Sequence, residues 1–336
     1  MFDPNGVGLK NGNIFSLPYK EEESRIVLIP APWDVTVSYR PGTANGPEQI
    51  IEASSQIDYH NHFHPKFYEQ GIHCIEIPHE WKQFGLELRA KSESYISALE
   101  NNENIDSFST EVKRINEASE EFNDYIKHKA LYHIEQGKKI ALIGGDHSCS
   151  LGMLQAFDHE YKSFGVLQID AHADLREAYE GFEYSHASIM FNALKLDSIK
   201  KLVQVGIRDI CEEELNRIED SKGRIKTFYD SGLKQAQYQG ETWKSTCLKI
   251  IDNLPEFVYI SFDIDGLNPN NCPNTGTPVP SGLEFEQACY LIEQVKRSGR
   301  KIIGFDLVEV SNGADTNNDW DANVGMRLLY RLCSVL

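Results

Sequence analysis

The stretch VLQIDAHAD, from Val166 to Asp174, leaves an apolar run by placing Asp170, His172 and Asp174 on alternate positions. Alternate residues of an extended strand face the same way, so two carboxylates and an imidazole are aimed at one point. Carboxylates crowded together repel, and they cannot all stay ionised in a dry site unless a cation joins them. A solvated strand end could carry the same residues, so this stretch alone leaves a surface and a metal site both open. Its partners weigh against the surface. VYISFDID is a second apolar run ending in acids at alternate positions, Asp263 and Asp265, and IALIGGDHS is a third, ending in a glycine turn that delivers Asp146 and His147. Parallel sheets bind ligands beyond the carboxyl ends of their strands. Three strand ends bearing metal-type residues there point to one shared site.

Charge counting then sets the number of ions. Asp170, Asp174, Asp263 and Asp265 carry four negative charges, and His147 and His172 add neutral donors. Two divalent cations balance that set. Hard oxygen donors with two imidazoles and no thiolate favour Mn²⁺-like ions, with Ni²⁺, Co²⁺ and Zn²⁺ left open. A pair of ions roughly 3.5–4 Å apart can hold and deprotonate a bridging water, which is then a nucleophile at neutral pH.

The elements that must position these residues are legible as apolar runs separated by helical stretches. RIVLIP (25–30), KKIALIGG (138–145), FGVLQID (164–170), KLVQVGIRD (201–209), EFVYISFDID (256–265) and KIIGFDLVEV (301–310) read as strands. Alternating with helices, they imply an α/β fold, a three-layer α/β/α arrangement around a mostly parallel sheet. Helices are expected over 109–137, with Ser109 at the N-cap and Gly137 at the C-terminal end, after Gly145, over 284–299, and near the end in NVGMRLLYRLCSV. The polar, acidic segment 97–110 reads as a surface loop. No internal repeat or flexible linker interrupts the chain, so residues 1–336 read as a single domain. The run HNHFH puts His60, His62 and His64 close together without a carboxylate cluster or cysteine, and these read as surface or packing histidines.

Composition excludes several classes. The 336 residues are 40% hydrophobic and 25% charged, an ordinary globular balance. A net charge of −18 argues against nucleic-acid binding and suits small cations. No run approaches the roughly 20 apolar residues of a membrane helix. The first residues, MFDPNGVGLKNGN, show neither a basic nor an apolar signal region. Seven scattered cysteines without a CxxC pair suit free thiols, and a cytoplasmic location is expected.

Taken together, GGDHS, DAHAD, SFDIDGLNP…TGTPVPSGL and GFDLVEVS resemble the ureohydrolase family of arginases, agmatinases, guanidinobutyrases and formimidoylglutamases. The upstream PWDVTVSYRPGTANGPEQI is similar to that family's N-terminal signature. The likeness covers most of the chain and weakens between about 60 and 125, where a separate elaboration is expected. YRPGTANGP and LREAYEGFEYSHAS look most like the agmatinase branch. The resemblance implies an arginase-like fold, with one ion on His147, Asp170, Asp174 and Asp263 and the other on Asp170, His172, Asp263 and Asp265, so that Asp170 and Asp263 bridge. It places His186 as a proton-shuttling histidine and Glu309 as the carboxylate that orients a guanidinium, and Asp174 counts among the catalytic groups as well as the ligands. The residues agree about Glu309, because a planar guanidinium is best gripped by a carboxylate at a strand end. Asn268 and Ser281 depart from the family pattern, where aspartate and glycine stand. Asp146 reads as a loop-holding carboxylate and Cys149 as a small buried residue.

The implied activity is hydrolysis of a guanidino C–N bond by an ion-activated bridging water, agmatine to putrescine plus urea in polyamine biosynthesis. Arginase, guanidinobutyrase, guanidinase and formimidoylglutamase activities are the alternatives on the same site. A dinuclear phosphatase would need cations to receive phosphate, and a non-catalytic homologue would need neither His186 nor Glu309. Glu177, Glu180 and Glu183 in the loop after DAHAD would favour a small cationic guanidino substrate, with Arg176 expected to pair with a neighbouring glutamate. The family likeness also implies a homo-oligomer, a trimer or hexamer.

Overall fold

Eight short segments, Ile26–Ala31 (β1), Ile72–Cys74 (β2), Lys139–Gly144 (β3), Phe164–Ile169 (β4), Ile199–Ile207 (β5), Ile225–Tyr229 (β6), Phe257–Asp263 (β7) and Lys301–Val308 (β8), form one all-parallel sheet in the order β2-β1-β3-β8-β7-β4-β5-β6. The computed structural model describes residues 2–9, 11–314 and 318–336. Parallel strands covered on both faces read as continuous apolar runs rather than alternating ones. In β4, Leu167 and Ile169 face one layer while Phe164 and Val166 face the other, and all four are buried. The two strands absent from the sequence reading, β2 and β6, are the sheet's edges. Edge strands need less apolar surface, and in β6 only Ile225 is buried.

Among the described residues ten α-helices cover the faces. Gly46–Ala53 (α1), Asp230–Tyr238 (α7), Trp243–Ile251 (α8), Phe285–Arg297 (α9) and Trp320–Val335 (α10) send buried apolar residues into one face. His79–Glu100 (α2), Ser109–Glu135 (α3), Ser150–Glu160 (α4), Ile189–Ala193 (α5) and Glu212–Asp220 (α6) cover the other. Among the described residues no helix is long and apolar enough to cross a membrane.

Several expectations need correction. Ser97–Glu100 is not loop but the last turn of α2, and Asp106–Phe108 is a 3-10 turn. Helix α2 escapes notice because its inward positions include Arg89 and Ser92, which interrupt the apolar stripe. Phe108, not Ser109, is the N-cap of α3, so Ser109 opens the helix proper. Gly137, at φ +72°, supplies the left-handed residue that ends it. Residues 60–125 thus hold α2 and more than half of α3. They pack onto the segment leaving β1: Trp33 stacks on Phe122 with ring centroids 4.7 Å apart, and Arg89 donates to the carbonyls of Val35 and Val37.

Candidate metal centre and active site

Because the sheet is parallel, β3, β4 and β7 deliver their C-terminal residues to one edge. At β3 the chain turns through Gly145, where a Cβ would lie 1.9 Å from the Trp33 carbonyl oxygen, so only glycine fits. Asp146 then accepts from the Ser148 amide at 3.0 Å and from its hydroxyl, capping the turn that presents His147. Asp146 is a loop-holding carboxylate, and Cys149 is fully buried beside it.

The orientation of His147 is set from behind. Its Nε2 lies 2.9 Å from Ser261 Oγ, whose hydroxyl donates to Asp306 at 3.0 Å. Ser261 spends its proton on a carboxylate, so it accepts from Nε2–H and leaves the Nδ1 lone pair facing forward. In front of Nδ1 stand Asp174 Oδ2 at 2.9 Å, Asp170 Oδ2 at 3.1 Å and Asp263 Oδ2 at 3.4 Å. Nδ1 is buried, yet none of these contacts has hydrogen-bond geometry. A lone pair and three carboxylate oxygens that converge without bonding one another surround a place for a cation. This is the observation on which a metal fits.

Asp170 belongs to a second group as well. His172 Nδ1 lies 3.0 Å from Asp265 Oδ2 and 3.7 Å from Asp170 Oδ1. Candidate donor sets therefore form around His147, Asp170 and Asp174 and around Asp170, His172 and Asp265. Asp263 joins the first through its contact with His147, while its Oδ1 accepts the Asp265 amide at 2.8 Å. The loop that carries Asp265 is clamped by Arg208, which donates to the carbonyls of Asp265 at 2.6 Å, Val279 at 3.0 Å and Leu267 at 3.1 Å. In the same loop Ser281 holds φ +78°, a conformation that favours glycine, and its hydroxyl donates to Asp230. Asn268 caps locally, accepting from the Asn270 amide at 3.0 Å.

His186 sits with its Nδ1 3.7 Å from Glu309 Oε1 and its Nε2 3.3 Å from Ser38 Oγ. Glu309 is buried and accepts the His147 amide at 2.9 Å. Asp174 and Glu309 both hold positive φ, +54° and +63°. Strain of this kind persists where the surroundings over-determine it, and it clusters at functional sites. Glu309 is held by Thr275 Oγ1, which donates to its carbonyl at 2.8 Å.

Electrostatics follow from crowding. Burial, then the Asp170 charge, pushes Asp174 up to about 7. Burial, then Asp265 and Asp170, raises Asp263 well above the carboxylate range, and burial, then Asp263 and Asp146, does the same for Glu309. Burial opposes charge on His147 and His172, but the surrounding carboxylates outweigh it and raise both. His186 behaves oppositely: burial, then His172 and His147, lowers it to about 3, so it is neutral at pH 7.

A cavity of about 170 Å³ opens over His172, Asp174 and His186, walled also by Ser38, Arg176, Tyr179, Asp209 and Thr277. Two expectations about its rim fail. Arg176 does not pair with a glutamate; its guanidinium lies over the Tyr179 ring, 4.8 Å from the centroid, while Glu177 pairs with Arg217 at 3.3 Å. Glu177, Glu180 and Glu183 do not line this cavity, because the loop closes in a tight turn at Glu180–Gly181 that carries them away. The acids that do line it are Asp174, the tethered Glu214 and, at its exposed rim, Asp209, whose nearest basic neighbour among the described residues is His172 Nε2 at 4.0 Å. Asp209 follows the β5 run VGIRD and obeys the strand-end rule that singled out the other acids, so the sequence carried its signal. Ser38 comes from an irregular segment and carried none. Of HNHFH, His64 pairs with Glu293 at 2.8 Å, far from the cavity lining.

Comparison with known proteins matches residues 24–334 to the Arginase family. The chain is 33% identical to an N(1)-aminopropylagmatine ureohydrolase of Thermus thermophilus over 295 residues, 88% of this chain and 84% of the relative. It is 28% identical to an agmatinase of Halalkalibacterium halodurans over 314 residues, 91% of this chain and 90% of the relative. In fold it is similar to an agmatine ureohydrolase of Thermoplasma volcanium, with TM-score 0.71, 23% identity, and coverage of 95% of this chain and 92% of the other. It is also similar to an arginase of Bacillus subtilis, with TM-score 0.65, 21% identity, and coverage of 92% and 98%.

Proposed function

Because the chain belongs to the arginase family, we propose that it hydrolyses a guanidino C–N bond of a substrate with a cationic tail, agmatine, giving putrescine and urea. The observation that carries this reading is Glu309, a buried carboxylate with no lysine or arginine against it among the described residues, beside His186 and the His147 backbone of the first candidate donor set. A planar guanidinium supplies the missing cation in a bidentate pair. The tail then leads out along the cavity toward Asp209, whose carboxylate attracts a terminal ammonium.

His147, Asp170, Asp174 and Asp263 would hold one divalent ion, and His172 and Asp265 would complete a second with Asp170 and Asp263. When bound, such a pair lowers the pKa of a water and supplies the nucleophile. Neutral His186 can take a proton at Nδ1 or Nε2 and return it to the departing amine nitrogen, with Ser38 holding its outer face. Asp174, whose Oδ2 lies 2.9 Å from His147 Nδ1, would share with it the charge of the ion held there. A second reading, N(1)-aminopropylagmatine, has the support of the 33% identical relative that bears that name; it carries the same head and a longer cationic tail.

The test is a substrate panel. The purified protein, loaded with Mn²⁺ or with Ni²⁺, is assayed for product from agmatine, N(1)-aminopropylagmatine, arginine, 4-guanidinobutyrate and formimidoylglutamate. The two cationic-tail compounds are expected to lead in kcat/KM. A lead for arginine or formimidoylglutamate that Arg176→Ala abolishes would make Arg176 a carboxylate reader and overturn the tail assignment.

A further inference from the structure

Strand β4 carries Gln168 within an otherwise apolar run, and its neighbour β5 carries Gln204; both side chains are fully buried. A buried carboxamide must place an acceptor and two donors. The sheet register pairs Gln168 with Gln204 and Gln204 with Thr227, so three side chains line up on one face across β4, β5 and the edge strand β6. Thr227 Oγ1 donates to Gln204 Oε1 at 2.7 Å. Gln204 Nε2 donates to the Ala173 carbonyl at 2.8 Å and to Gln168 Oε1 at 2.7 Å. Gln168 Nε2 donates in turn to the His172 carbonyl at 3.1 Å and to Asp170 Oδ2 at 2.8 Å. Backbone carbonyls only accept, so Ala173 and His172 decide which end of each amide is nitrogen. Neither amide can flip without setting oxygen against oxygen. Every donor in the row therefore points inward, from the sheet edge toward Asp170.

We infer that Thr227, Gln204 and Gln168 are a positioning relay that holds Asp170, the residue common to both candidate donor sets, in a single orientation. The inference rests on the proposed metal centre. Asp170 Oδ1 takes the His172 amide at 2.6 Å and Oδ2 takes Gln168, so both oxygens are pinned from the protein side and the rotamer is set before any ion arrives. Hydrogen bonds in a chain polarise one another, which gives Thr227 a reach onto Asp170 through two intervening amides. Groups that orient metal-ligating side chains typically change affinity or activity by roughly 10–100-fold when removed.

Thr227→Val, Gln204→Met and Gln168→Met separate this from a merely structural role. Each is measured for Mn²⁺ affinity and stoichiometry by competition with a chromophoric chelator, and for Tm of the metal-free protein. Mn²⁺ affinity is expected to fall in a graded series, roughly 10–100-fold for Gln168→Met, less for Gln204→Met and least for Thr227→Val. Thr227→Val keeps a β-branched side chain of the same shape on a partly exposed edge strand, so its metal-free Tm should match the wild type. Unchanged Mn²⁺ affinity in both the Thr227 and Gln204 variants, or affinity losses that simply track a fall in metal-free Tm, would overturn the relay. A wild-type protein that takes up no Mn²⁺ would instead overturn the metal centre on which the relay rests.

Discussion

His186 and Asp209 carry the residue-scale consequences, because each touches the cavity without belonging to either donor set. Replacing His186 by Ala removes the proposed proton carrier, 3.7 Å from Glu309. Such a group contributes about 10²–10⁴-fold to rate, so kcat should fall by that order while titration calorimetry still finds divalent ions bound. Undiminished kcat would take His186 out of the mechanism. Asp209 is mostly exposed, and exposed charge pairs contribute about 1 kcal/mol or less. Asp209→Asn should therefore raise KM for agmatine only about 3–5-fold, with kcat unchanged and no effect on a guanidino compound that lacks the terminal amine. An equal loss with both compounds would mean that Asp209 shapes the cavity rather than reading the tail.

The loop between β4 and α5 is an element with a pH-dependent weakness. Its tight turn places Glu180 at φ +53° and Gly181 at φ +80°, and the backbones of Tyr179 and Phe182 bond each other at 2.9 and 3.1 Å. Glu180 Oε2 is buried without a partner, and burial, then the nearby Glu100, pushes the carboxyl up to about 7. A carboxyl that binds its proton more tightly folded than unfolded stabilises the fold below its ordinary pKa, and that stability is lost as pH rises through 7. Glu180→Gln should thus raise Tm at pH 8, by about 1 kcal/mol in stability once the half-buried setting is allowed for. The gain should fade as the pH falls from 7 to 4.5. A Tm difference that is the same at both ends of that range would show that the carboxyl is not the cause.

At the scale of the whole molecule, a net charge of −18 surrounds a cavity proposed to receive a cation. Long-range attraction of this kind raises the encounter rate and is screened by salt. Added KCl, which shortens the Debye length from about 30 Å at 0.01 M to about 3 Å at 1 M, should lower kcat/KM for agmatine chiefly through KM. A flat salt profile would mean that Glu309 and Asp209 alone govern capture.

What the sequence determined by itself was whatever depends on neighbours along the chain. Apolar runs marked the six inner or long strands, and side-chain alternation put Asp170, His172 and Asp174, and then Asp263 and Asp265, at strand ends. The parallel α/β class followed from strands alternating with helices, and motif order pointed to the arginase family. The edge strands β2 and β6 and helix α2 stayed hidden, because a three-residue strand, a strand with one buried residue and a helix with Arg89 and Ser92 turned inward lack the apolar period that marks the others. Only the tertiary structure decided which side chains meet across strands. The order β3-β8-β7-β4 set His147 against Ser261 and Glu309 beside His147, and adjacency of β4, β5 and β6 aligned Gln168, Gln204 and Thr227. It also decided where charged loop residues go, freeing Arg176 onto Tyr179 and bringing Asp209 rather than Glu177, Glu180 or Glu183 to the cavity. Long side chains on loops choose partners by distance in space, and that distance exists only once the sheet has brought remote segments together.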